Sequence, residues 1–560
     1  MKFFLLLLLF PIIATAQIPL KYVDPMIGTG PAKTLSTIRH SETGSENKGQ
    51  TYPAVGRPFG MTQWTPETGT TENKCISPYY YYDKVITGFR GSHWMSGSCT
   101  QDYGSMTLMP FTTGKPDTLA HNPVSKFSHK NEISTPAYYS VLLDNSGILA
   151  ELAGSVRSGM MRFTFPGKAG SYILIRINSD KKEGKVSIDK EKNEIAGFNP
   201  VHRLYQGKGK SAGFSGYFVI RFDKPFLSLP QLMSQQQMVV GFANEKIVNV
   251  RIGTSFTSIE AARNNLDKEI PHWDFDGCRK TGEDAWNQTL GKVQVKGGTV
   301  DDLTRFYTAL YHCFQLPRIV SDCDGSYEGF AQDSLIHKTE GFDYYDDFSM
   351  WDTYRALHPL LTILEPKRSL DMVKSLILKA QQGGWMPIFP AWGNYTAAMI
   401  GDHVSAMISD AHIKGKTLLN NESDHQAAYL YAMAGMPEKT QEKVNKIINE
   451  EYGTGPGGLS GNEDAGQLSA WLVFSMIGFY PVCPASNQYI ITTPSFDEVK
   501  IFLPDGNFFL ISSINREKTN KYIRVITMNG GRFNNWFITH DEIVKGSRFT
   551  FQLDSRPPLK

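Results

Sequence analysis

The stretch DDLTRFYTALYHCF, residues 301–314, decides the fold because its apolar side chains repeat with the period of an α-helix. From Leu303 to Phe314 they fall at positions i, i+3, i+4, i+7, i+8 and i+11, which places them on one helix face. Similar stripes predict about seven helices before residue 480. The later stripes begin at Leu357, Leu370, Ile400, Ala427, Val444 and Leu468. We therefore predict a helical domain over residues 271–483.

The sequence on both sides of this domain has patterns that are typical of β-strands. Before it, short runs such as Tyr172–Ile177 and Tyr217–Phe222 are rich in β-branched and aromatic residues and are separated by Gly, Asp, Asn and Pro. This pattern is typical of an antiparallel β-sandwich, which we place at residues 17–270. Similar runs between Tyr489 and Leu553 predict a C-terminal β-strand segment, residues 484–560. The fold class is thus multidomain β + α.

The composition limits the classes of protein that the chain can belong to. Of its 560 residues, 41% are hydrophobic and 20% are charged, so it can bury a large core and is not a disordered protein. Lys and Arg number 57 against 55 Asp and Glu, which gives a net charge of +2. A nucleic-acid partner would need a concentrated basic surface, and this balance argues against one.

The N-terminus and the cysteines indicate export. Residues 1–16, MKFFLLLLLFPIIATA, combine a Lys, an apolar run and a small-residue end, which predicts a signal peptide cleaved after Ala16. No later apolar stretch reaches the ~18 residues that a membrane span needs. The six cysteines could form local disulfides in an exported protein. No CxxC motif or His/Cys cluster points to zinc.

Carboxylates and aromatic residues are dense in the loops of the helical domain. In residues 342–355, FDYYDDFSMWDTYR, Asp346 and Asp347 are read as helix caps. Trp351 followed by Asp352 offers a flat apolar face beside a strong hydrogen-bond acceptor, which suits a sugar ring with its hydroxyls, although capping also explains the Asp. The loop at residues 91–104 is rich in Ser and Gly, which favours a position for Trp94 at the rim of a site.

Two further loops carry candidate catalytic and metal-binding groups. Glu463 and Asp464 are adjacent carboxylates in a Gly-flanked turn, a placement that suits a base activating water; the alternative is that Asp464 is a helix N-cap. Asn421 and Glu422 bring amide and carboxylate oxygens together, as Ca²⁺ prefers. The alternative there is a capping box, with His425 as a core residue.

Several of these stretches, in this order, resemble glycoside hydrolase family 92, the exo-acting α-mannosidases of Bacteroidetes. The resemblance covers nearly the whole mature chain, and no single motif carries it alone. The matching stretches are residues 22–30 (YVDPMIGTG), 58–61 (PFGM), 92–104, 214–218 (FSGYF), 344–355, 392–403, 421–426 and 461–471.

The resemblance implies a fold, a reaction and a set of site residues. The fold is a β-sandwich packed on an (α/α)6 barrel, with the site where they meet. The reaction is inverting and Ca²⁺-dependent, with the cation on the mannose 2- and 3-hydroxyls. The residues it implies are Asp464 as general base with Glu463 beside it, Asn421 and Glu422 as calcium ligands, Trp351 and Asp352 as contacts to the terminal mannose, the backbone of Phe59 and Gly60 beneath it, and Trp94 in the leaving-sugar site.

The sequence departs from the family pattern after residues 410–415, DAHIKG. Family members continue there with a long helical stretch that carries the general acid, whereas here Lys416 and Thr417 lead directly into LLNNE, residues 418–422. Leu418 and Leu419 replace the His-Glu pair of α-1,2-specific members. We therefore expect an incomplete barrel with uncovered apolar helix faces. Loss of the acid would slow hydrolysis by ~10²–10⁴.

The resemblance predicts an exported, periplasmic or secreted enzyme that removes terminal mannose from glycans, of α-1,2-type lineage. Its partner is a mannose-containing glycan. One alternative is a remnant that binds mannose without cleaving it, and another is a product that folds poorly. A sugar phosphorylase shares the architecture but would need a basic phosphate site, which the sequence does not show. Oligomeric state is left open.

Overall fold

The computed structural model describes most of the chain between residues 18 and 557. The described ranges are 18–40, 49–69, 75–113, 123–167, 170–179, 181–189, 191–205, 209–227, 231–399, 401, 403–413 and 424–557. The predicted signal peptide and the predicted calcium ligands Asn421 and Glu422 lie outside these ranges. Within them, the structure has no helix that is both long and apolar enough to cross a bilayer.

Two antiparallel sheets form the N-terminal region, as predicted. In the described residues one sheet has six strands in the order β1-β3-β4-β10-β15-β14, and the other has eight in the order β11-β12-β13-β16-β9-β8-β7-β6. The strands are β1 Gln63–Glu67, β2 Val85–Ile86, β3 Gly88–Ser92, β4 Met106–Thr113, β5 Ser125–Lys126, β6 Glu132–Thr135, β7 Tyr138–Leu143, β8 Ile148–Gly154, β9 Ser158–Thr164, β10 Gly170–Ile177, β11 Lys185–Asp189, β12 Glu194–His202, β13 Ser211–Phe222, β14 Gln231–Ser234, β15 Gln237–Phe242 and β16 Ile247–Ser255.

The period-2 alternation of the strands builds the core between the sheets. In β9, Met161 and Phe163 join the inter-sheet cluster, while Met160 belongs to a second cluster on the other face. Ile175 of β10 pairs with Leu108 of β4, and both are fully buried. The sandwich therefore has a closed inner core.

Two α-helices of the described residues lie in the stretch predicted to be β-structure, and the longer one packs on the sandwich. Helix α2, Ile259–Glu269, follows the short α1, Leu35–His40, and begins at the N-cap Ser258, whose hydroxyl accepts from the Ala261 amide. Ala262 and Leu266, four residues apart, are buried on the outer face of the eight-stranded sheet. A Cβ at Gly253 would lie 2.2 Å from the Ala262 carbonyl oxygen, so the close packing requires glycine. The prediction failed here because only two of the helix's apolar residues, Ala262 and Leu266, are buried, which is too few to form a recognisable stripe.

The helical region follows, and each predicted stripe corresponds to a helix. The stripe from Leu303 lies on α4, which begins with a capping box between Thr299 and Asp302. Ile400, which opens another stripe, is outside the described residues. The helices are α3 Phe275–Leu290, α4 Val300–His312, α5 Met350–Thr353, α6 Leu357–Leu364, α7 Pro366–Gly383, α8 His403–Ile413, α9 Ala427–Met433, α10 Pro437–Glu450 and α11 Gln467–Ile477.

Apolar residues on two of these helices are exposed, as expected for uncovered faces. Leu370 and Ile377 of α7 are 54% and 40% exposed, and Met433 of α9 is 62% exposed. The described helices α8 and α9 stand on either side of residues 414–423, where the sequence departs from the family pattern.

The C-terminal strands pack on the helical region through one shared core. Their six-stranded sheet, β17-β26-β27-β31-β28-β29, includes β17 from between α3 and α4, which the sequence analysis missed. Phe306 of α4 meets Phe496 edge-on at 5.2 Å. The remaining strands and the last helix are β17 Val293–Lys296, β18 Arg318–Ile319, β19 Ser326–Glu328, β20 Ile336–Lys338, β21 Tyr345–Asp346, β22 Pro390–Ala391, β23 Asn394–Tyr395, β24 Phe479–Tyr480, β25 Gln488–Ile491, β26 Glu498–Phe502, β27 Phe508–Ile514, β28 Tyr522–Met528, β29 Gly531–Phe533, β30 Phe537–Thr539, α12 His540–Val544 and β31 Arg548–Asp554.

Candidate active site

The loop before α11 has an unusual backbone. Asp464, Ala465 and Gly466 are consecutive residues in the left-handed region, with φ of 57°, 55° and 96°. This conformation is sterically unfavourable for a residue with a side chain. Such a residue keeps the conformation only where the surrounding structure imposes it. The N-cap of α11 is Gly466, with no side-chain cap, so the alternative reading of Asp464 as the N-cap is wrong.

The β-sandwich region imposes this conformation through three backbone hydrogen bonds. The amides of Glu463, Asp464 and Ala465 donate to the carbonyls of Gly49 (3.0 Å), Gly97 (3.1 Å) and Ser96 (3.1 Å). A Cβ on Gly97 would lie 2.5 Å from the Cβ of Glu463, so only glycine fits this contact. The turn is therefore built jointly by the two regions of the chain.

Glu463 and Asp464 sit in different surroundings. Glu463 is fully buried, and burial raises its pKa to about 8, opposed by hydrogen bonds from Ser469 and the Gly466 amide and reinforced by repulsion from Asp352. A pKa of about 8 favours the protonated form of Glu463 at neutral pH, whereas a general base has to be ionised. Asp464 is half-buried and lines a cavity of about 430 Å³. The cavity is also lined by His425, Ile447, Glu451, Tyr452, Ser460, Gly461, Asn462, Leu468 and Trp471.

The Trp351–Asp352 pair lies on the short helix α5. Asp352 is buried, which raises its pKa to about 6 against the opposing effects of the Ser349 hydroxyl and Arg355. Its charge acts on Glu463, so the two carboxyl groups belong to one electrostatic neighbourhood. Trp351 is half-buried, with the Arg355 guanidinium 4.6 Å from its ring centroid. The structure therefore leaves part of the indole exposed.

Asp346 and Asp347 do not cap this helix, contrary to the prediction. The N-cap is Ser349. Asp346 forms a buried ion pair with Lys379 at 3.2 Å, and Asp347 pairs with Arg318 at 2.5 Å. Both carboxylates are used inside the protein because each has a buried cation as partner.

Three residues expected to touch the sugar are covered in the structure. Trp94 is 1% exposed and its indole N–H donates to the Gln50 carbonyl at 3.3 Å, so its predicted position at the rim is wrong. The Phe59 amide donates to Phe314 and its carbonyl accepts from Ile319, which leaves no spare backbone group at Phe59. Gly60 is buried, and its amide donates to Arg57. Loop composition could not reveal these distant partners.

His425 follows the candidate metal ligands Asn421 and Glu422 in the sequence, and its side chain lines the cavity together with Asp464. His425 belongs to the short 3₁₀ helix Asp424–Gln426, which directly precedes α9. Its ring Nδ1 is 3.0 Å from the Gln467 amide nitrogen, and its carbonyl accepts from Trp471. The described residues contain no group of three or more His, Cys, Asp or Glu side chains arranged to hold a metal.

The sequence analysis missed Arg318, which is 1% exposed and bridges the two regions. A signal was present, since Arg318 is a lone charge in the run Leu316–Val320, and charged residues in apolar runs are buried only when paired. Cysteine pairing could not be predicted from the sequence; in the structure Cys75 and Cys99 form a disulfide, whereas Cys278, Cys313, Cys323 and Cys483 are not in disulfide bonds.

Comparison with known proteins covers almost the whole chain. The profile of the glycosyl hydrolase family 92 N-terminal domain matches residues 22–258, and that of the family's catalytic domain matches residues 261–420 and 414–555. A curated relative from Arthroderma benhamiae, called an uncharacterized secreted glycosidase, is 20% identical over 736 residues, covering 95% of this chain and 92% of the relative.

Solved structures share the fold. A family GH92 inverting mannosidase from Bacteroides thetaiotaomicron superposes with a TM-score of 0.83 at 23% identity, covering 97% of both chains. A GH92 α-mannosidase from the same organism superposes with a TM-score of 0.83 at 24% identity, covering 97% of this chain and 95% of that one. It was also solved with mannoimidazole.

Two features of the comparisons agree with the internal deletion that the sequence predicts for this chain after residue 415. The catalytic-domain profile matches in two pieces that meet at residues 414–420. The alignment with the curated relative is longer than the 560 residues of this chain, so the relative has residues without a counterpart here.

Proposed function

The chain belongs to glycosyl hydrolase family 92 and is a glycoside hydrolase by descent, and from this premise we propose that it is an exo-acting α-mannosidase. It removes terminal mannose from glycans with inversion and belongs to the α-1,2-type lineage. The observation that carries the proposal is the half-buried Asp464 carboxylate, which a strained turn, held by hydrogen bonds to β-sandwich carbonyls, presents to a cavity lined by residues of the helical region.

Asp464 serves as the general base in this proposal. An inverting enzyme places a base beside a water on one face of the sugar and an acid on the other, with the carboxyl groups about 6.5–9.5 Å apart. Asp464 faces the cavity, whereas Glu463 is buried and mainly protonated. Glu463 therefore supports the turn by accepting from the Gly466 amide at 2.6 Å.

Trp351 and Asp352 contact the terminal mannose in this proposal. The exposed part of the indole offers an apolar surface to the ring, and a carboxylate accepts hydrogen bonds from sugar hydroxyls. Asp352 titrates close to neutrality because burial raises its pKa to about 6. Sugar binding through Asp352 is accordingly expected to weaken as the pH falls below that value.

Calcium is the proposed cofactor, held by Asn421 and Glu422. The donor chemistry of the cavity that contains Asp464 fits a hard cation, because Asn462, Ser460 and Asp464, which line it, all carry side-chain oxygen atoms. When bound, the ion would polarise the mannose hydroxyls. The predicted signal peptide, together with a curated relative called secreted, supports export to the periplasm or the medium.

The proposed enzyme has no counterpart to the family's acid-bearing segment, so the leaving group decides the rate. We expect an activated aryl α-mannoside, whose leaving group needs no proton, to be hydrolysed at least ~10²-fold faster than mannobiose. Mannose release from both substrates is to be measured with Ca²⁺ and with a chelator, which should abolish it.

The control variants separate the base from general effects. Asp464→Asn is expected to reduce turnover of the aryl mannoside by ~10²–10⁴, while Asp301→Asn, on the exposed first turn of α4, should leave it unchanged. Full turnover by Asp464→Asn would contradict the assignment of the base. Mannose binding without turnover of either substrate would favour the second candidate, a binding remnant, which the missing segment also suggests.

A further inference from the structure

Arg318 is a buried cation whose hydrogen bonds cross from the helical region to the β-sandwich. Its Nε donates to Asp347 Oδ2 at 2.5 Å, its Nη2 to the Trp94 carbonyl at 2.8 Å and its Nη1 to the Met61 carbonyl at 3.4 Å. Asp347 comes from the helical region, whereas Met61 and Trp94 come from the β-sandwich. A buried guanidinium is tolerated only when its donors are matched in this way.

Asp347 holds the guanidinium in place and is itself held from the other side. It is fully buried with φ of 61°, and its Oδ2 also accepts from the Tyr103 hydroxyl at 2.8 Å. Burial raises the pKa of Asp347 to about 6, and Arg318 opposes this rise. Tyr103 belongs to the same loop as Trp94, so this loop contacts the pair at two points.

Ser96 and Gly97, which follow Trp94 by two and three residues, supply the carbonyls that hold the turn at Asp464. Ser96 and Gly97 accept from the amides of Ala465 and Asp464, both at 3.1 Å. The loop is braced by the Gln50 carbonyl, which accepts from the Trp94 indole at 3.3 Å and from the Gly97 amide at 3.0 Å. Hydrogen bonds thus connect Asp347 to Arg318 and Arg318 to the Trp94 carbonyl, and the backbone of the Trp94 loop continues to Gly97, whose carbonyl accepts from the Asp464 amide.

We infer that Arg318, oriented by Asp347, is a positioning residue for Asp464. The left-handed backbone of Asp464 and Ala465 does not hold itself, so its geometry depends on where the Ser96 and Gly97 carbonyls stand. Arg318 holds these carbonyls in position because it donates a hydrogen bond to the Trp94 carbonyl at the start of the same loop. The inference rests on the proposed function for its catalytic meaning, but the structural coupling it asserts is independent of any activity.

Amide hydrogen exchange tests the coupling without a substrate. In Arg318→Lys, a point charge replaces the three-acceptor fork, and exchange of the Asp464 and Ala465 amides should accelerate about tenfold or more. Tyr103→Phe, which removes one bond to Asp347 and is the mildest change, should give a smaller acceleration in the same direction. Arg221→Lys is the matched control, since Arg221 pairs with Glu194 at 2.9 Å within the sandwich. Unchanged exchange at Asp464 and Ala465 in folded Arg318→Lys would overturn the inference.

Kinetics then distinguish positioning from general loss of stability. On the aryl mannoside, Arg318→Lys should lower kcat about 10- to 100-fold with KM within about twofold, because a displaced base affects the chemical step and not the sugar contacts. Arg221→Lys should lower the melting temperature without changing kcat. A parallel fall of kcat in both variants would mean a merely structural role for Arg318. If wild-type protein has no turnover, the proposed function fails while the exchange experiment still decides the coupling.

Discussion

The β-sandwich and the helical region differ in where their exposed apolar side chains lie. In the sandwich, Ile133 and Leu232 are exposed on the edge strands β6 and β14, whereas Leu370 and Ile377 of α7 line one cavity. The sandwich core is enclosed between two sheets, with residues such as Phe163 and Ile175 fully buried. The helical region leaves Leu370 and Ile377 of α7 and Met433 of α9 substantially exposed. The contrast teaches that the sandwich contributes a finished half of the site, while the helical half keeps an apolar cavity beside α8, the helix that precedes residues 414–420, where the two pieces of the catalytic-domain profile meet.

The site reflects this difference. The sandwich supplies the carbonyls of Gly49, Ser96 and Gly97 that hold the turn at Asp464. The groups that the family resemblance assigns to the helical region, the acid and the calcium ligands, belong to the interrupted stretch. We therefore expect base geometry to be robust and leaving-group activation to be poor.

The largest stability effect should come from the closed half. Phe163→Ala in β9 removes a fully buried ring whose centroid is 6.0 Å from that of Phe89. The free energy of unfolding is expected to fall by about 3–5 kcal/mol, as for large-to-small changes in packed cores. Chemical denaturation monitored by circular dichroism measures it. A loss below about 1 kcal/mol would show that the sandwich core is loosely packed and would remove the contrast.

The burial of Glu463 between the two regions should make the free energy of unfolding depend on pH. Burial raises the pKa of Glu463 to about 8, well above its ordinary value of 4.5. The proton is therefore bound more tightly in the folded state, so the stabilisation is complete below about pH 4.5 and is lost as the pH rises through 8. Glu463→Gln mimics the protonated form and should flatten this decline, which is on the order of 4 kcal/mol between pH 4.5 and 9.

Denaturation curves at pH 5, 7 and 9 check this expectation. Asp301→Asn, at an exposed position, should keep the wild-type pH profile. If Glu463→Gln lost stability with rising pH as wild type does, Glu463 would not be sealed at the junction, and the sandwich half of the site would be less finished than the structure indicates.

Local sequence patterns allowed much of the fold to be predicted, whereas contacts between residues far apart in the sequence could not be predicted. The stripe on α4 and the strand Tyr522–Met528 were located from neighbouring residues alone, because periodicity is a property of a short window. Strand β17 was missed because four residues become a strand only by pairing with Glu498–Phe502, some two hundred positions away. Long-range pairing leaves no local period.

The site shows the same limit. The turn at Asp464 was identified as a candidate from its adjacent carboxylates and glycines. Its strained backbone, the burial of Trp94 and the role of Arg318 depend on the contact between two regions that are far apart in the sequence. Composition could indicate which loops carry chemistry, but it could not indicate which of their side chains face inward.

The smallest stability effect is expected on the open face of α7, and it tests the comparison most directly. Leu370, Val373 and Ile377 line a cavity of about 750 Å³ together with Ile408 of α8 and Leu503 of the C-terminal β-strand segment. Because Leu370 and Ile377 are half exposed, the double variant Leu370→Gln/Ile377→Gln should change the free energy of unfolding by less than about 1 kcal/mol. It should also raise solubility, since contiguous exposed apolar surface promotes association.

Sedimentation velocity across a range of concentrations, with denaturation in parallel, measures both effects. Leu361→Gln in α6 is the matched control, because Leu361 is fully buried and its replacement should cost several kcal/mol by burying an unpaired amide. If the α7 double variant were destabilised as strongly as Leu361→Gln, this face would be covered in solution. The helical region would then be as closed as the sandwich, and the distinction between a finished and an open half would fail.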